Sequence, residues 1–174
     1  MNKFEKYPYL ITHTSPLFNT LHEITKKLIM KKHLAQLNIS RMLSDTINDP
    51  IMADFVSQLD TINALGENSK GFVWRLKGES GDATHFNPFG DEQIIVNLTV
   101  WESLEDLMNF AFKTAHAVVM KDRNKWFEKF GKPSMVLWYI ETGHIPTHQE
   151  ARERLEYIQA NGASEYAFDF KNKF

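Results

Sequence analysis

Ile94-Ile-Val-Asn-Leu-Thr-Val-Trp101 runs directly into Glu102-Ser-Leu-Glu-Asp106, and this junction is the clearest structural signal in the chain. The first segment is rich in β-branched and apolar residues, which is typical of a strand. Ser103 followed three residues later by an acidic residue has the form of a capping box, with Asp106 in place of Glu. The junction therefore predicts a strand that leads straight into a helix.

That helix is predicted to be long, because apolar residues recur at helical spacing as far as Phe127. A break is expected near Asp122. His116 is expected to lie mid-helix, with its ring toward the sheet or the edge of the sheet. Gly131-Lys-Pro133 ends the segment.

Before the junction, apolar and polar residues alternate over His33–Met42, which predicts another strand. Asp49-Pro50 is a cap followed by proline and predicts a helix that ends at Gly66. Phe72–Leu76 is predicted to be a second strand, and Gly78–Asp91 a long loop.

After the junction, a fourth strand is predicted over Met135–Ile140, and the capping box Thr147–Glu150 predicts a helix as far as Asn161. Tyr166–Phe170 is predicted to be a short terminal strand. With right-handed crossovers, this βαββαβ order followed by αβ gives an α+β fold, the ferredoxin-like sandwich, whose first and third strands are central. Because the strands carry apolar residues on both sides, we expect a second subunit to cover the free face, giving a homodimer.

Residues 1–32 are interpreted as an N-terminal amphipathic helical extension to a domain over residues 33–174. Ser15 and Pro16 are typical of a helix start, and lysines gather at the other end of the segment. Docking onto the domain or a partner is preferred to binding at a membrane surface, which a basic amphipathic helix also supports.

Composition excludes several classes of function. The 174 residues are 43% hydrophobic with a net charge of −2, so no basic field favours nonspecific nucleic-acid binding. No stretch has the apolar length of a membrane span. Cysteine is absent, which removes disulfides, thiolate nucleophiles and iron–sulfur clusters. We expect a cytoplasmic protein.

His116 is the first candidate for chemistry, since an imidazole can ligate a metal such as haem iron or move a proton. A histidine held by a backbone carbonyl is the structural alternative. A second set on the predicted sheet comprises Asn38, Asn97, Thr99, Trp101 and Arg75. Polar residues on a covered face indicate either an internal network or a ligand pocket.

Arg123 and Trp126 follow His116 at spacings that let all three share one side of a helix. Two interpretations follow. Either Arg123 binds a carboxylate and Trp126 forms one wall of a pocket, or Arg123 lies at the surface above a tryptophan of the core. His144 and His148 straddle a turn and a helix start, so we do not expect a metal site there.

Several blocks, in this order, resemble a bacterial family known only as a domain of unknown function: Leu34-Ala-Gln-Leu-Asn-Ile39, Gly71-Phe-Val-Trp-Arg-Leu76, Val96-Asn-Leu-Thr-Val-Trp-Glu-Ser-Leu104, His116 with Arg123 and Trp126-Phe127, and Leu137-Trp with Gly143-His-Ile-Pro-Thr147. That family is assigned to the dimeric α/β-barrel superfamily. The resemblance therefore implies two ferredoxin-like subunits that form a dimeric α/β barrel.

The superfamily includes cofactor-free antibiotic-biosynthesis monooxygenases, haem-degrading oxygenases, chlorite dismutases and aldoxime dehydratases, and spheroidene monooxygenase is similar at a greater distance. In the haem-degrading members, an asparagine on the first strand, a tryptophan and an axial histidine form the site. Asn38 and His116 are similar in placement. Asp106 stands ten residues before the histidine, where that group tends to have tryptophan.

Together these features predict an oxygenase-like small-molecule enzyme with a pocket between sheet and helices. In a haem version His116 would ligate iron, Asn38 would bond a distal ligand, and Arg75 or Arg123 would pair with a carboxylate. Without a cofactor, His116 would act as a base on a phenolic substrate, with Asn and Trp side chains stabilising the anion. The alternative is a noncatalytic ligand-binding or structural homodimer.

Overall fold

A four-stranded antiparallel sheet forms the centre of the computed structural model, which describes residues 32–78 and 89–174. Its order across the sheet is β2-β3-β1-β4, so the first and third strands are central, as the sequence predicts. Opposite residues on β1 and β3 run in register from Leu34 with Trp101 to Arg41 with Ile94. The strands are β1 (Lys32–Arg41), β2 (Phe72–Arg75), β3 (Ile94–Trp101) and β4 (Met135–Glu141).

The described ranges contain four α-helices, and the three caps predicted within those ranges are confirmed. Asp49 accepts a hydrogen bond from the Ile51 N–H at 2.9 Å, before a 3₁₀ turn and the first helix. Ser103 and Thr147 each accept from the backbone N–H three residues later, at 3.1 Å. These bonds satisfy donors that a helix start leaves without partners. The helices are α1 (Ala53–Glu67), α2 (Leu104–Lys113), α3 (His116–Asp122) and α4 (His148–Asn161).

The alternation of side chains gives the two faces of the sheet different chemistry. One face, here called the α4 face, is apolar, and its buried core is completed by Ala151, Leu155 and Ile158 of α4. The other, here called the cavity face, is polar at its centre and packs against α2 through Leu107 at one end. From β1 and β3, the α4 face receives Ala35, Leu37, Ile39, Val96, Leu98 and Val100, and the cavity face receives Leu34, Gln36, Asn38, Asn97, Thr99 and Trp101.

The predicted long helix is broken at Thr114, where the sequence indicated no break, while its α-helical geometry ends at Asp122, where a break was expected. Thr114 is extended, and its hydroxyl donates to the Phe110 carbonyl at 2.6 Å and accepts from the His116 N–H at 3.2 Å. The hydroxyl thus replaces helical backbone partners on both sides of the break. As a result, His116 begins α3 instead of lying mid-helix, and α3 continues into the 3₁₀ turn Arg123–Lys125.

The predicted terminal strand over Tyr166–Phe170 is also wrong, because only one residue pairs with the sheet. Leu137 and Phe168 exchange two backbone hydrogen bonds at 2.8 and 2.9 Å. On one side of this bridge, Ser164 and Ala167 close a turn, and on the other the Asp169 carboxylate accepts from two following N–H groups. These turns leave no room for a longer ladder.

The face that the sequence analysis assigned to a second subunit is covered in part by the chain itself. Trp138 of β4 lies fully buried in the same core as α4. Its indole N–H donates to Glu150 Oε1 at 2.8 Å, which ties the strand to the helix. The apolar residues of this face therefore do not by themselves require a partner.

Two sequence predictions lie outside the described residues: the N-terminal extension, except Lys32, and most of the loop over Gly78–Asp91. Lys32–Phe174 clusters as one compact unit. Across residues 32–78 and 89–174, no helix combines the length and apolar character that a bilayer crossing needs.

Candidate functional site

A cavity of about 150 Å³ lies between the cavity face and helices α1 and α3. Most of its wall is aromatic or aliphatic, with Phe55, Leu59 and Ile62 from α1 and Phe110 from α2. Polar groups from the strands, from α1 and from α3 with the turn after it interrupt this apolar surface. Such a mixture is typical of sites that bind small molecules.

All seven site residues predicted from the sequence line this one cavity, although they come from four separate segments of the chain. The adjacency of β1 and β3 brings the strand residues together, and α3 brings the others. Sequence reasoning missed α1 as a wall, although Asn63 beside the apolar stripe was an available signal. The seven are Asn38, Arg75, Asn97, Trp101, His116, Arg123 and Trp126.

His116 is held by the broken end of α2. Its Nδ1 lies 3.2 Å from the Ala111 carbonyl oxygen, and its ring packs on Phe110 with centroids 4.8 Å apart. Because a carbonyl only accepts, Nδ1 carries the proton and Nε2 remains as the acceptor. Burial lowers the pKa of His116, and the hydrogen bond to Ala111 opposes that shift without cancelling it. At neutral pH His116 is therefore a neutral base with a fixed tautomer.

Arg75 is compensated by a neighbouring carboxylate. Its Nε donates to Glu67 Oε1 at 2.7 Å, and Lys77 Nζ lies 2.8 Å from the same oxygen. The hydrogen bonds from Lys77 and from Arg75 lower the pKa of Glu67, so Glu67 stays ionised at neutral pH. The Arg75 side chain is only 12% exposed. Arg75 thus already has a carboxylate partner, which it shares with Lys77.

Arg123 differs from Arg75, because the described residues offer its side chain no carboxylate or hydrogen-bond acceptor. The neighbouring Asp122 pairs instead with Lys125 at 2.9 Å. Among the described residues that line the cavity, none is Asp or Glu. Arg123 thus brings an uncompensated guanidinium to the cavity wall.

The polar residues of the cavity face divide into a bonded set and an available set. Trp101 Nε1 donates to Thr99 Oγ1 at 2.9 Å, and Thr99 donates to Gln36 Oε1 at 2.8 Å. Trp101 therefore offers a ligand only its ring. Asn38 and Asn97 stand opposite each other, and within the described ranges their side chains have no hydrogen-bond partner. Their amides remain available to a ligand.

Trp126 forms part of the cavity wall. It is 3% exposed and packs against Phe55 with ring centroids 5.8 Å apart. It shares a buried cluster with Met42 and Met52. Trp126 is therefore both a core residue and a wall of the cavity, which combines the two roles that its spacing from His116 suggested.

Metal ligation finds little support in the side chains. Residues 32–78 and 89–174 contain no group of three His, Asp or Glu side chains that could hold a metal ion. His144 Nε2 lies 2.7 Å from Glu150 Oε2, and Trp138 donates to the other oxygen of that carboxylate. Glu150 thereby joins the start of α4 to the preceding turn and to the sheet.

Haem, which the family resemblance implies, fits the chemistry of His116 but not the space beside it. A histidine that ligates a metal usually donates its other ring N–H to a carbonyl, a carboxylate or water, as Nδ1 of His116 does to Ala111. A cavity of about 150 Å³, however, lies below the roughly 300–1,000 Å³ of pockets for drug-sized ligands, and haem is a large ligand. We therefore derive no chemistry through haem.

The fold and the site define a mixed α+β protein with an amphipathic cavity against the polar centre of its sheet. Residues 33–174 match the family described as "Domain of unknown function (DUF3291)", and the chain belongs to that family. The predicted membership of a family of unknown function is thus confirmed.

The crystal structure of the NE2512 protein of unknown function from Nitrosomonas europaea is similar at 10% identity, covering 68% of this chain and 96% of that chain, with a TM-score of 0.41. We draw no argument from a likeness at that level. Comparison with curated proteins gives no match.

Proposed function

We propose that this chain is a small-molecule enzyme that works without a bound cofactor, with His116 as a general base toward a phenolic or similarly acidic ring. His116 itself carries the proposal, because it combines a neutral imidazole, a tautomer fixed by Ala111 and a place on an apolar cavity. The cavity, at about 150 Å³, matches the size of chambers that hold one benzene ring. The ligand is accordingly one ring with small substituents.

In the proposed step, the proton of the ligand hydroxyl moves to Nε2 of His116, which leaves a phenolate and an imidazolium. The imidazolium keeps its Nδ1–H bond to Ala111. Attraction between the two new charges offsets the cost of forming them in a partly buried place. The amides of Asn38 and Asn97 donate to the phenolate oxygen and stabilise the developing charge.

The oxygenase-like part of the proposal requires dioxygen as a co-reactant. The electron-rich phenolate reduces dioxygen: a C–O bond forms at the ring carbon beside the hydroxyl, the C–H bond there, the phenolic O–H bond and the O–O bond break, and overall a phenol and one O₂ give an ortho-quinone and one water. Support comes from the strand order β2-β3-β1-β4 with helices after β1 and β3, the arrangement of a ferredoxin-like subunit. That order agrees with the resemblance to cofactor-free monooxygenases of the dimeric α/β-barrel superfamily. The test measures dioxygen consumption by the protein with a bound phenol. If no phenol supports dioxygen consumption, the oxygenase-like activity is contradicted.

A homodimer belongs to the same proposal, and exposed aromatic rings support it. Phe112 is 55% exposed and contacts Phe170 with ring centroids 5.0 Å apart, and Phe174 is 54% exposed. Exposed rings such as Phe112 and Phe174 are common at interfaces between subunits. Light scattering should give twice the chain mass, and Phe112→Glu should lower it. A monomeric mass for the wild type would overturn the dimer.

The test of the base uses 4-nitrophenol, whose absorbance reports whether its hydroxyl is ionised. At a pH where the free phenol is mostly protonated, the wild type should shift the spectrum saturably toward the phenolate. His116→Gln keeps a polar side chain near Ala111 but is not a base, so the bound phenol should stay protonated. An equal shift in both proteins would contradict the role of His116.

The second candidate is a noncatalytic ligand-binding protein. The Nδ1 bond to Ala111 favours it, because a purely structural histidine makes the same bond. His116 is only partly buried and lines the cavity, which favours the enzyme. Saturable binding of 4-nitrophenol without ionisation in the wild type would decide for the noncatalytic protein.

A further inference from the structure

We propose that the cavity selects a ring that carries one carboxylate and that Arg123 is the residue that recognises it. This inference rests on the proposed function, since it names the substrate class of the same cavity. Charge balance is the first argument. Arg75 is paired with Glu67 at 2.7 Å, whereas the described residues give Arg123 no counter-ion.

The second argument is complementarity between the lining and its ligand. None of the described lining residues is acidic, so the Arg123 guanidinium faces a mostly apolar chamber without a negative charge. A guanidinium binds a carboxylate through two parallel N–H···O bonds, and low surrounding polarity strengthens them. A neutral ring leaves this charge unpaired, and a dianion brings more charge than one guanidinium balances. The substrate class is therefore a monoanionic aromatic acid.

The third argument is the separation between Arg123 and the base. α3 begins at His116, and Arg123 follows its last residue directly in the 3₁₀ turn. Seven residues of helical rise place the two Cα atoms about 10 Å apart. Both side chains line the same cavity. A ring with its hydroxyl and its carboxylate at opposite ends reaches both groups, so para-hydroxy acids fit better than ortho-hydroxy acids.

The test compares 4-hydroxybenzoate with its neutral analogue 4-hydroxybenzamide by calorimetric titration of the full chain. The wild type should bind the acid about tenfold or more tightly than the amide, as expected for hydrogen bonds between charged groups. Arg123→Gln should abolish that preference, because it should lower the affinity for the acid far more than it changes the affinity for the amide. Arg123→Lys keeps the charge but not the planar fork, and should retain part of the preference.

Lys125→Gln is the matched control. It removes the same charge from the same 3₁₀ turn, but Lys125 pairs with Asp122 and is not among the lining residues. Lys125→Gln should therefore keep the preference of the wild type. The near-ultraviolet circular dichroism of each variant, compared with the wild type, checks that the fold is intact.

The outcomes separate this inference from the proposed function. If Arg123→Gln keeps the preference for the acid, or Lys125→Gln loses it equally, Arg123 is not the recognition residue. If the wild type ionises 4-nitrophenol but binds the acid no better than the amide, the substrate class is wrong and the proposed function stands. If no ring binds and 4-nitrophenol is not ionised, both fail.

Discussion

Leu37 and Leu98 on the α4 face are 1% exposed and share one core, whereas Asn38 and Asn97, one residue away on the same strands, meet a cavity. The difference arises because successive residues of a strand point to opposite faces. The α4 face removes apolar area from water and so supplies stability. The cavity face keeps polar groups that a close-packed core would not tolerate. A stable face on one side allows the other to retain groups suited to binding.

The largest expected effect separates these two faces by one residue. Leu98→Ala should lower the free energy of unfolding by about 2–5 kcal/mol, because it leaves a void in the α4-face core. Asn97→Ala, on the cavity face of the same strand, should change the free energy of unfolding by no more than about 0.5 kcal/mol. Urea denaturation of both variants measures the difference. If both variants lose the same free energy of unfolding, the two faces contribute equally to stability and the comparison fails.

The cavity face should also supply a pH dependence of stability. The unfolded chain protonates His116 near the usual value of about 6.5, but in the folded chain burial lowers the pKa of His116. The unfolded state therefore binds more protons as the pH falls through that range, and the free energy of unfolding decreases. Above that range, His116 should contribute nothing to the pH dependence of the free energy of unfolding.

His116→Gln sharpens this prediction, because it removes the titrating group and leaves the other histidines in place. Melting temperatures of the two proteins measured between about pH 5 and pH 8 should diverge in slope toward the acid end. The wild type should lose stability more steeply than the variant. Parallel profiles would mean that burial of His116 does not govern its protonation.

Alternation, helix caps and chain order predicted the strands, most of the helices and the order of the sheet. Side-chain pairs that depend on the exact path of a turn were not predicted. Alternation placed Asn38 and Asn97 near each other, because the strand order follows from chain order and handedness. The partnership of Arg75 with Glu67 depends on how tightly the chain reverses between α1 and β2, where Gly71 has φ of +75°. Sequence periodicity carries no information about that reversal.

The break at Thr114 escaped prediction for a different reason. A hydroxyl that bonds to the backbone competes with helical hydrogen bonds at nearly equal free energy. Tertiary contacts then decide the outcome. The apolar spacing continues through the break, so it indicated one helix where the chain forms two.

A smaller effect concerns the balance between the two arginines. Glu67→Gln should remove one negative charge beside Arg75 and raise the affinity for 4-hydroxybenzoate by up to about fivefold, since partly exposed charges interact by about 1 kcal/mol or less. Glu128→Gln is the control, because Glu128 is exposed and outside the cavity lining. Calorimetric titration measures both. A weaker affinity in Glu67→Gln would indicate that Glu67 holds the wall in shape instead of neutralising it.

The smallest expected effect is the response to haemin. Because the cavity beside His116 holds about 150 Å³, a titration should give no saturable Soret shift that depends on this histidine. His116→Ala should respond as the wild type does. One haem per subunit, lost in the variant, would mean that the cavity face opens far beyond its present size.

The break at Thr114 has a consequence for how a histidine acquires its orientation. In many hydrolases an aspartate holds the imidazole by its Nδ1–H and fixes which nitrogen reacts. Here the end of α2 supplies that acceptor, because a continuous helix would use the Ala111 carbonyl for its own backbone. A neutral carbonyl stabilises an imidazolium less than a carboxylate does. The pair is thus a dyad with an uncharged member, and a search for acidic partners of histidine would pass over it.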